Sequence, residues 1–141
     1  MNENKPTLYL IRGVPGAGKS TFAKDFYLTL VLSYGSDSIR WFEADTYFFK
    51  TGTYIFDASK LKNAHEECQS NTRFALSDNK NTIVSNTSTT EKEVETYRKI
   101  AEECNANFVS LIIENRHGCA NIHNVPEDKV QQMKQRFSVK L

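Results

Sequence analysis

Gly13-Val14-Pro15-Gly16-Ala17-Gly18-Lys19-Ser20-Thr21 gathers three glycines, one lysine and two hydroxyls into nine residues, directly after the apolar run Leu8-Tyr9-Leu10-Ile11. Glycines reach backbone torsions closed to other residues and let N–H groups turn inward with no Cβ in the way. Successive inward N–H groups make an anion-binding nest, reinforced by the unpaired amides and positive dipole end of a following helix. Lys19 adds a fixed positive charge suited to β- and γ-phosphates, and Ser20 a hydroxyl suited to Mg²⁺. Thr21 is placed for helix N-terminal bonds or the α-phosphate. The chemistry is that of gripping a nucleoside triphosphate. The alternative is a glycine-rich turn that caps a helix, and the complete pattern in this setting stands against it.

Gly13-x-x-x-x-Gly18-Lys19-Ser20 meets the Walker A pattern at every defined position, between an expected strand and an expected helix. The pattern implies ATP with Mg²⁺ and leaves the reaction open. Asp45, closing Trp41-Phe42-Glu43-Ala44-Asp45, reads as a general base that takes a proton from an attacking hydroxyl, or as a turn-capping aspartate. Glu43 is expected to be a strand residue pointing away. Where many P-loop enzymes carry an aspartate at the end of the third strand, this chain has Asn86. An amide there can ligate or orient a water, so the expected metal set is Ser20 with Asp45 and Asn86 acting through water. Residues 114–125 read as a lid whose one arginine, Arg116, would close over the γ-phosphate; a solvated loop arginine is the other reading. His65 reads as a packing residue, and His117 and His123 read as structural, with contact to base or phosphate as the other reading. Of the aromatics around Asp45, Tyr47 or Phe48 could stack a base, while most are expected in the core.

Strand-like and helix-like stretches alternate along the chain, the pattern of a parallel sheet covered by helices. Thr7–Arg12, Ile39–Ala44, 82–85 and 107–113 are the strand candidates. Helical faces are Phe22, Phe26 and Leu30; then Leu61, Ala64, Cys68, Thr72 and Ala75, opening near Asp57; then Val94, Tyr97, Ala101 and Cys104; then Val130, Met133 and Phe137, opening at Pro126. The third helix has two candidate capping boxes, Ser88…Glu91 and Thr90…Glu93. The order β-α-β-α-β-α-β-lid-α predicts an α/β three-layer sandwich: a short parallel sheet of four strands, helices on both faces, and ligands beyond the carboxyl ends of the strands.

The 141 residues suit one domain, and a net charge of +1 argues against holding nucleic acid by charge alone. No apolar run is long enough to span a bilayer and no signal-peptide core is visible, so no membrane association is expected. Cys68, Cys104 and Cys119 are odd in number and lack CxxC spacing, which suits free thiols in a reducing, cytoplasmic setting and offers no zinc site.

The P-loop, Glu43-Ala44-Asp45 with Tyr47-Phe48-Phe49, Gly52-Thr53-Tyr54-Ile55-Phe56, Ala64-His65, Val84-Ser85-Asn86-Thr87 and Asn121-Ile122-His123-Asn124-Val125 resemble, in order, segments of the small AAA_33-type P-loop kinases. That group includes the NEDD4-binding protein 2-like ATPase domains and, more distantly, the kinase domain of phage polynucleotide 5′-hydroxyl kinase. The resemblance implies adenylate-kinase-like topology, ATP as phosphate donor, Asp45 as general base and a hydroxyl acceptor, in the polynucleotide kinases a nucleic-acid 5′ end. Three charges of those relatives are replaced here, by Phe48, by Cys119 with Ala120, and by Asn86; Arg116 would stand in for the lid arginines. A small-molecule or nucleoside kinase, and an ATP-binding switch with little transfer, remain the alternatives.

Overall fold

The structure, a computed structural model, describes residues 4–50, 52–114 and 125–140. Four parallel strands, β1 (Thr7–Arg12), β2 (Ile39–Phe42), β3 (Asn81–Ser85) and β4 (Asn107–Ile112), form one sheet in the order β2-β3-β1-β4. β1 is apolar on both faces because it is covered on both: Leu8 and Leu10 enter one core, Ile11 the other, all fully buried. Burial of each such side chain is worth about 1.5–3 kcal/mol, which fixes the strand end from which the glycine loop departs.

α2 (Leu61–Ser77) and α3 (Glu91–Glu103) cover the Leu8/Leu10 face. α2 contributes Ala64 and Cys68 to that core, and α3 contributes Val94, Tyr97, Ile100 and Ala101. α1 (Lys19–Tyr34) covers the Ile11 face, packing Ala23, Phe26, Tyr27, Leu30 and Val31 against Ile39, Ile83 and Trp41. Phe22, expected on that face, lies at its margin, 39% exposed, edge-on to Phe26. α4 (Glu127–Arg136) buries Val130, with Glu127 and Asp128 in its first turn and Lys134 and Arg136 in its last, both favourable to the helix dipole. The three-layer arrangement is the expected one.

The differences from expectation are local. β2 stops at Phe42, two residues early, because the Thr46 amide and hydroxyl both return to the Glu43 carbonyl and wind Ala44–Phe49 into a 3₁₀ segment. Asp57 does cap, but it caps a single 3₁₀ turn (Ala58–Lys60) that leads into α2. Of the two capping boxes, Thr90 with Glu93 is the one formed. Pro126 is the residue before α4, and among the expected lid residues 115–124 lie outside those described.

Arg12, the last residue of β1, is only 2% exposed and gathers three chain segments. Its Nε donates to the Ser88 carbonyl at 2.9 Å, its Nη2 to the Ser138 carbonyl at 2.7 Å, and its Nη1 faces Glu91 at 3.5 Å. The guanidinium lies 4.6 Å from the centre of the Phe137 ring. Ser88 has a left-handed backbone (φ 45°), which costs energy for a residue with a Cβ, and the Arg12 bond helps to hold it. Ser138 closes the clasp: its amide donates to Thr89 O at 2.7 Å and its hydroxyl accepts from the Glu91 amide at 2.9 Å. The segment after α4 is thereby tied to the residue that precedes the glycine loop. Arg12→Lys keeps the charge but cannot serve both carbonyls and the ring. It should lower stability to urea by about 1–3 kcal/mol and speed amide exchange at Ser138 more than in β1; unchanged exchange at Ser138 would show that the clasp does not depend on the guanidinium.

Candidate functional site

The glycine loop leaves β1 at its carboxyl end and returns as α1. Gly13 has no room for a side chain: a Cβ there would come within 2.7 Å of the Ile113 carbonyl. Its amide donates to Thr87 O at 3.2 Å, locking the loop's first residue to the segment after β3. Gly18, the residue before α1, has φ 99°, a left-handed torsion that glycine adopts freely. Having no side chain, Gly18 leaves α1 without a side-chain cap, and the first turn carries no acidic residue. The amides and dipole at that helix start therefore face the loop's concavity with nothing of their own to neutralise them. Val14 and Ala17 anchor the loop from below, both buried, with Ala17 N donating to Val14 O at 3.1 Å. Gly16 and Pro15 complete the arch, and Thr21 is on the exposed side of the first helical turn.

Lys19 folds back over the loop, its Nζ 3.3 Å from the Val14 carbonyl. Burial lowers its pKa, and the carboxylates of Glu43 and Asp45 oppose that shift. A partly desolvated ammonium held beside an amide nest is a strong receptor for a phosphate oxygen.

Glu43 does not point away. Its Oε1 accepts from the Ser20 hydroxyl at 3.0 Å and from the Ser85 hydroxyl at 2.7 Å, and Ser85 Oγ in turn accepts from Trp41 Nε1 at 2.8 Å. Alternation along β2 carries this signal: Ile39 and Trp41 face α1, so Glu43 falls on the same side, above the start of that helix. Because Ser20 donates its proton to Glu43, its oxygen keeps lone pairs for a cation. The described residues hold no group of three or more acidic, histidine or cysteine side chains able to cage a metal alone. Mg²⁺ is bound by few protein oxygens together with substrate phosphates and water, and the Ser20 hydroxyl is an oxygen of that kind.

Asp45 is the second residue of the 3₁₀ segment, just past β2, and accepts from the Tyr54 hydroxyl at 3.3 Å. Burial, then the neighbouring Asp45 carboxylate, raises the Tyr54 pKa, so the phenol remains a donor. Tyr54 was not marked as a site residue by spacing; nine residues separate it from Asp45. The Gly52 amide on Phe49 O and the Ile55 amide on Phe48 O fold the intervening turn back.

Asn86 is turned into the core. Its Oδ1 accepts from the Ala44 amide at 2.9 Å, and its Nδ2 lies 3.3 Å from Tyr97 Oη and 3.8 Å from Cys68 Sγ. These contacts make Asn86 a brace beneath the Asp45 turn. Phe48 is 5% exposed among Tyr47, Tyr54 and Phe56, a packing residue with no face for a base. Tyr47 lies under Lys50, whose Nζ is 4.2 Å from the ring centre. His65 is half-buried on α2, and Arg116, His117, Cys119 and His123 lie outside the described residues. No described helix is long and apolar enough to cross a membrane.

The site thus joins Lys19 and Ser20 of the loop to Glu43 and Asp45 past β2 and Ser85 at the end of β3, all at the carboxyl edge of the sheet. Comparison with known proteins finds the same frame. Kti12 of Chaetomium thermophilum in complex with ADP-AlF3 matches with a TM-score of 0.72 and 14% identity, over 94% of this chain and 80% of that one. A chain of the Pnkp1/Rnl/Hen1 complex matches with a TM-score of 0.64 and 17% identity over 94% of this chain, which spans 40% of that chain's length. Mycobacterium tuberculosis APS kinase CysC in complex with AMPPNP and APS matches with a TM-score of 0.59 and 13% identity, over 93% of this chain and 69% of that one. Identities this low establish the shared fold. The family profile described as an AAA domain, AAA_33, matches residues 8–139. With the loop, the sheet order and that match in agreement, the chain belongs to the AAA_33 family.

Proposed function

We propose that the protein is an ATP-dependent phosphotransferase that moves the γ-phosphate to a hydroxyl acceptor. The observation that carries this reading is the shared placement of Lys19, Ser20 and Asp45. The carboxylate of Asp45, bonded to Tyr54, acts electrostatically on Lys19 of a loop suited to a triphosphate tail. Residues 13–21 wrap the phosphates, and Lys19 meets the β- and γ-oxygens. Ser20 would hold Mg²⁺ with the phosphate oxygens; when bound, the ion neutralises charge on the β- and γ-phosphates. Asp45 takes the acceptor's hydroxyl proton as the acceptor oxygen bonds to the γ-phosphorus and the β–γ bridging P–O bond breaks, releasing ADP. Arg116 would bring a positive charge over the transferring group.

For the acceptor, the surroundings of Asp45 favour a planar, weakly charged group. Tyr54, bonded to Asp45, is 43% exposed, and the 52% exposed Phe49 ring lies 4.8 Å from it. Lys50, the nearest described lysine in sequence, is engaged by Glu67 at 2.9 Å. A nucleoside or the 5′-hydroxyl of a single-stranded end suits such a shelf, by stacking. A second reading, a nucleotide-dependent binding module with little turnover, draws on Asn86 and Phe48: both stand where relatives carry charge, and both are committed to the core.

γ-Labelled ATP offered to 5′-hydroxyl oligonucleotides, nucleosides and buffer alone separates the two. Transfer to an acceptor should fall about 10²- to 10⁴-fold in Asp45→Asn with ATP binding retained; tight ATP binding without transfer to any acceptor would favour the switch. Lys19→Ala should weaken ATP binding about 10- to 100-fold, the worth of a charge-assisted hydrogen bond, and leave adenosine binding within about twofold. Equal losses for both ligands, measured by calorimetry, would contradict the placement of the phosphates.

A further inference from the structure

We infer that Glu43 supplies the carboxylate of the magnesium shell, from the residue after β2 rather than from the end of β3. This rests on the nucleotide-binding reading above and goes beyond it by assigning a residue that the Walker A pattern does not include. At the end of β3 the chain offers Ser85 and Asn86, neither charged, and the Asn86 side chain is committed to the Ala44 amide and Tyr97. A divalent cation at Ser20 therefore finds no acidic group on β3. Glu43 reaches the end of β3 from just past the neighbouring strand: its Oε1 is 2.7 Å from Ser85 Oγ and 3.0 Å from Ser20 Oγ, so one oxygen touches both the strand end and the hydroxyl of the glycine loop.

The direction of the hydrogen bonds fixes how Glu43 acts. Ser20 and Ser85 both donate to Oε1, so the carboxylate accepts the Ser20 proton in a hydrogen bond and leaves the lone pairs of that oxygen for a cation. Trp41 Nε1 donates to Ser85 Oγ and prevents that hydroxyl from turning the other way. The three donors point the Ser85 proton at Glu43 and leave Glu43 acting only as an acceptor. Among the described residues, no hydrogen bond occupies Oε2, which is available to a metal-bound water. Glu43 is thus a positioning residue: it acts through Ser20 and through water rather than on the transferred group.

The test is calorimetric titration of the full chain with ATP, in EDTA and in Mg²⁺. Wild type should bind ATP in EDTA and bind it more tightly with Mg²⁺. Glu43→Gln keeps the shape and still accepts from Ser20; it should match wild type within about threefold in EDTA and lose about 10- to 100-fold of the magnesium gain, the usual effect of removing an outer-shell partner. Adding Ser85→Asp to Glu43→Gln returns a carboxylate to the same space and should restore part of the gain. A full magnesium gain in Glu43→Gln overturns the inference. So does a wild type that binds ATP with no magnesium gain. A wild type that binds ATP in neither condition overturns the nucleotide reading itself. If Glu43→Gln does not fold, Glu43→Asp carries the test: it withdraws the charge from Ser20 by one carbon and should lose part of the gain, and an unaltered gain counts against the assignment.

Discussion

Gly13 approaches the Ile113 carbonyl so closely that no side chain fits between them, and the rest of the site inherits its position from that contact. The approach sets the loop's departure from β1, and the Thr87 carbonyl takes the amide of the same residue. From there the chain reaches a left-handed Gly18 and starts α1 with no cap of its own. A helix start without a side-chain cap keeps its first amides for other partners. An anion there meets those N–H groups and the positive end of the helix dipole.

The supports of this loop come from far apart in sequence. Arg12 ties the base of the loop to Ser88 and to Ser138, and Asn86 props the Ala44 amide under the Asp45 turn. Trp41, Ser85, Glu43 and Ser20 form a continuous polar relay from β2 through β3 to α1. Each of these side chains is held by partners on a different element, which keeps its torsions fixed before any nucleotide arrives. Preorganisation of this kind reduces the ordering that binding must impose.

Much of the frame was legible in the sequence because it depends on local pattern. The glycine spacing, the strand Thr7–Arg12 and the Thr90…Glu93 box each report on residues within a few positions of one another. Glu43 was misread for the opposite reason: its partners lie 23 and 42 positions away, and nothing local reveals them. The period-two alternation through Ile39 and Trp41 did hold the clue, since it sets Glu43 above the start of α1. Asn86 and Phe48 look like missing charges when compared with relatives, but the three-dimensional setting makes them packing and bracing residues. The end of β2 could not be read from propensity, because Thr46 draws the chain out of the sheet by hydrogen bonds to a carbonyl three residues back.

The central claim is that the amides at the start of α1 bind a triphosphate. Amide chemical shifts of the labelled protein, followed as ATP and then adenosine are added, test it most directly. The largest ATP-induced changes should fall at Gly16, Gly18, Lys19 and Ser20 and be absent with adenosine. Changes confined to other parts of the sheet, or equal for the two ligands, would contradict it.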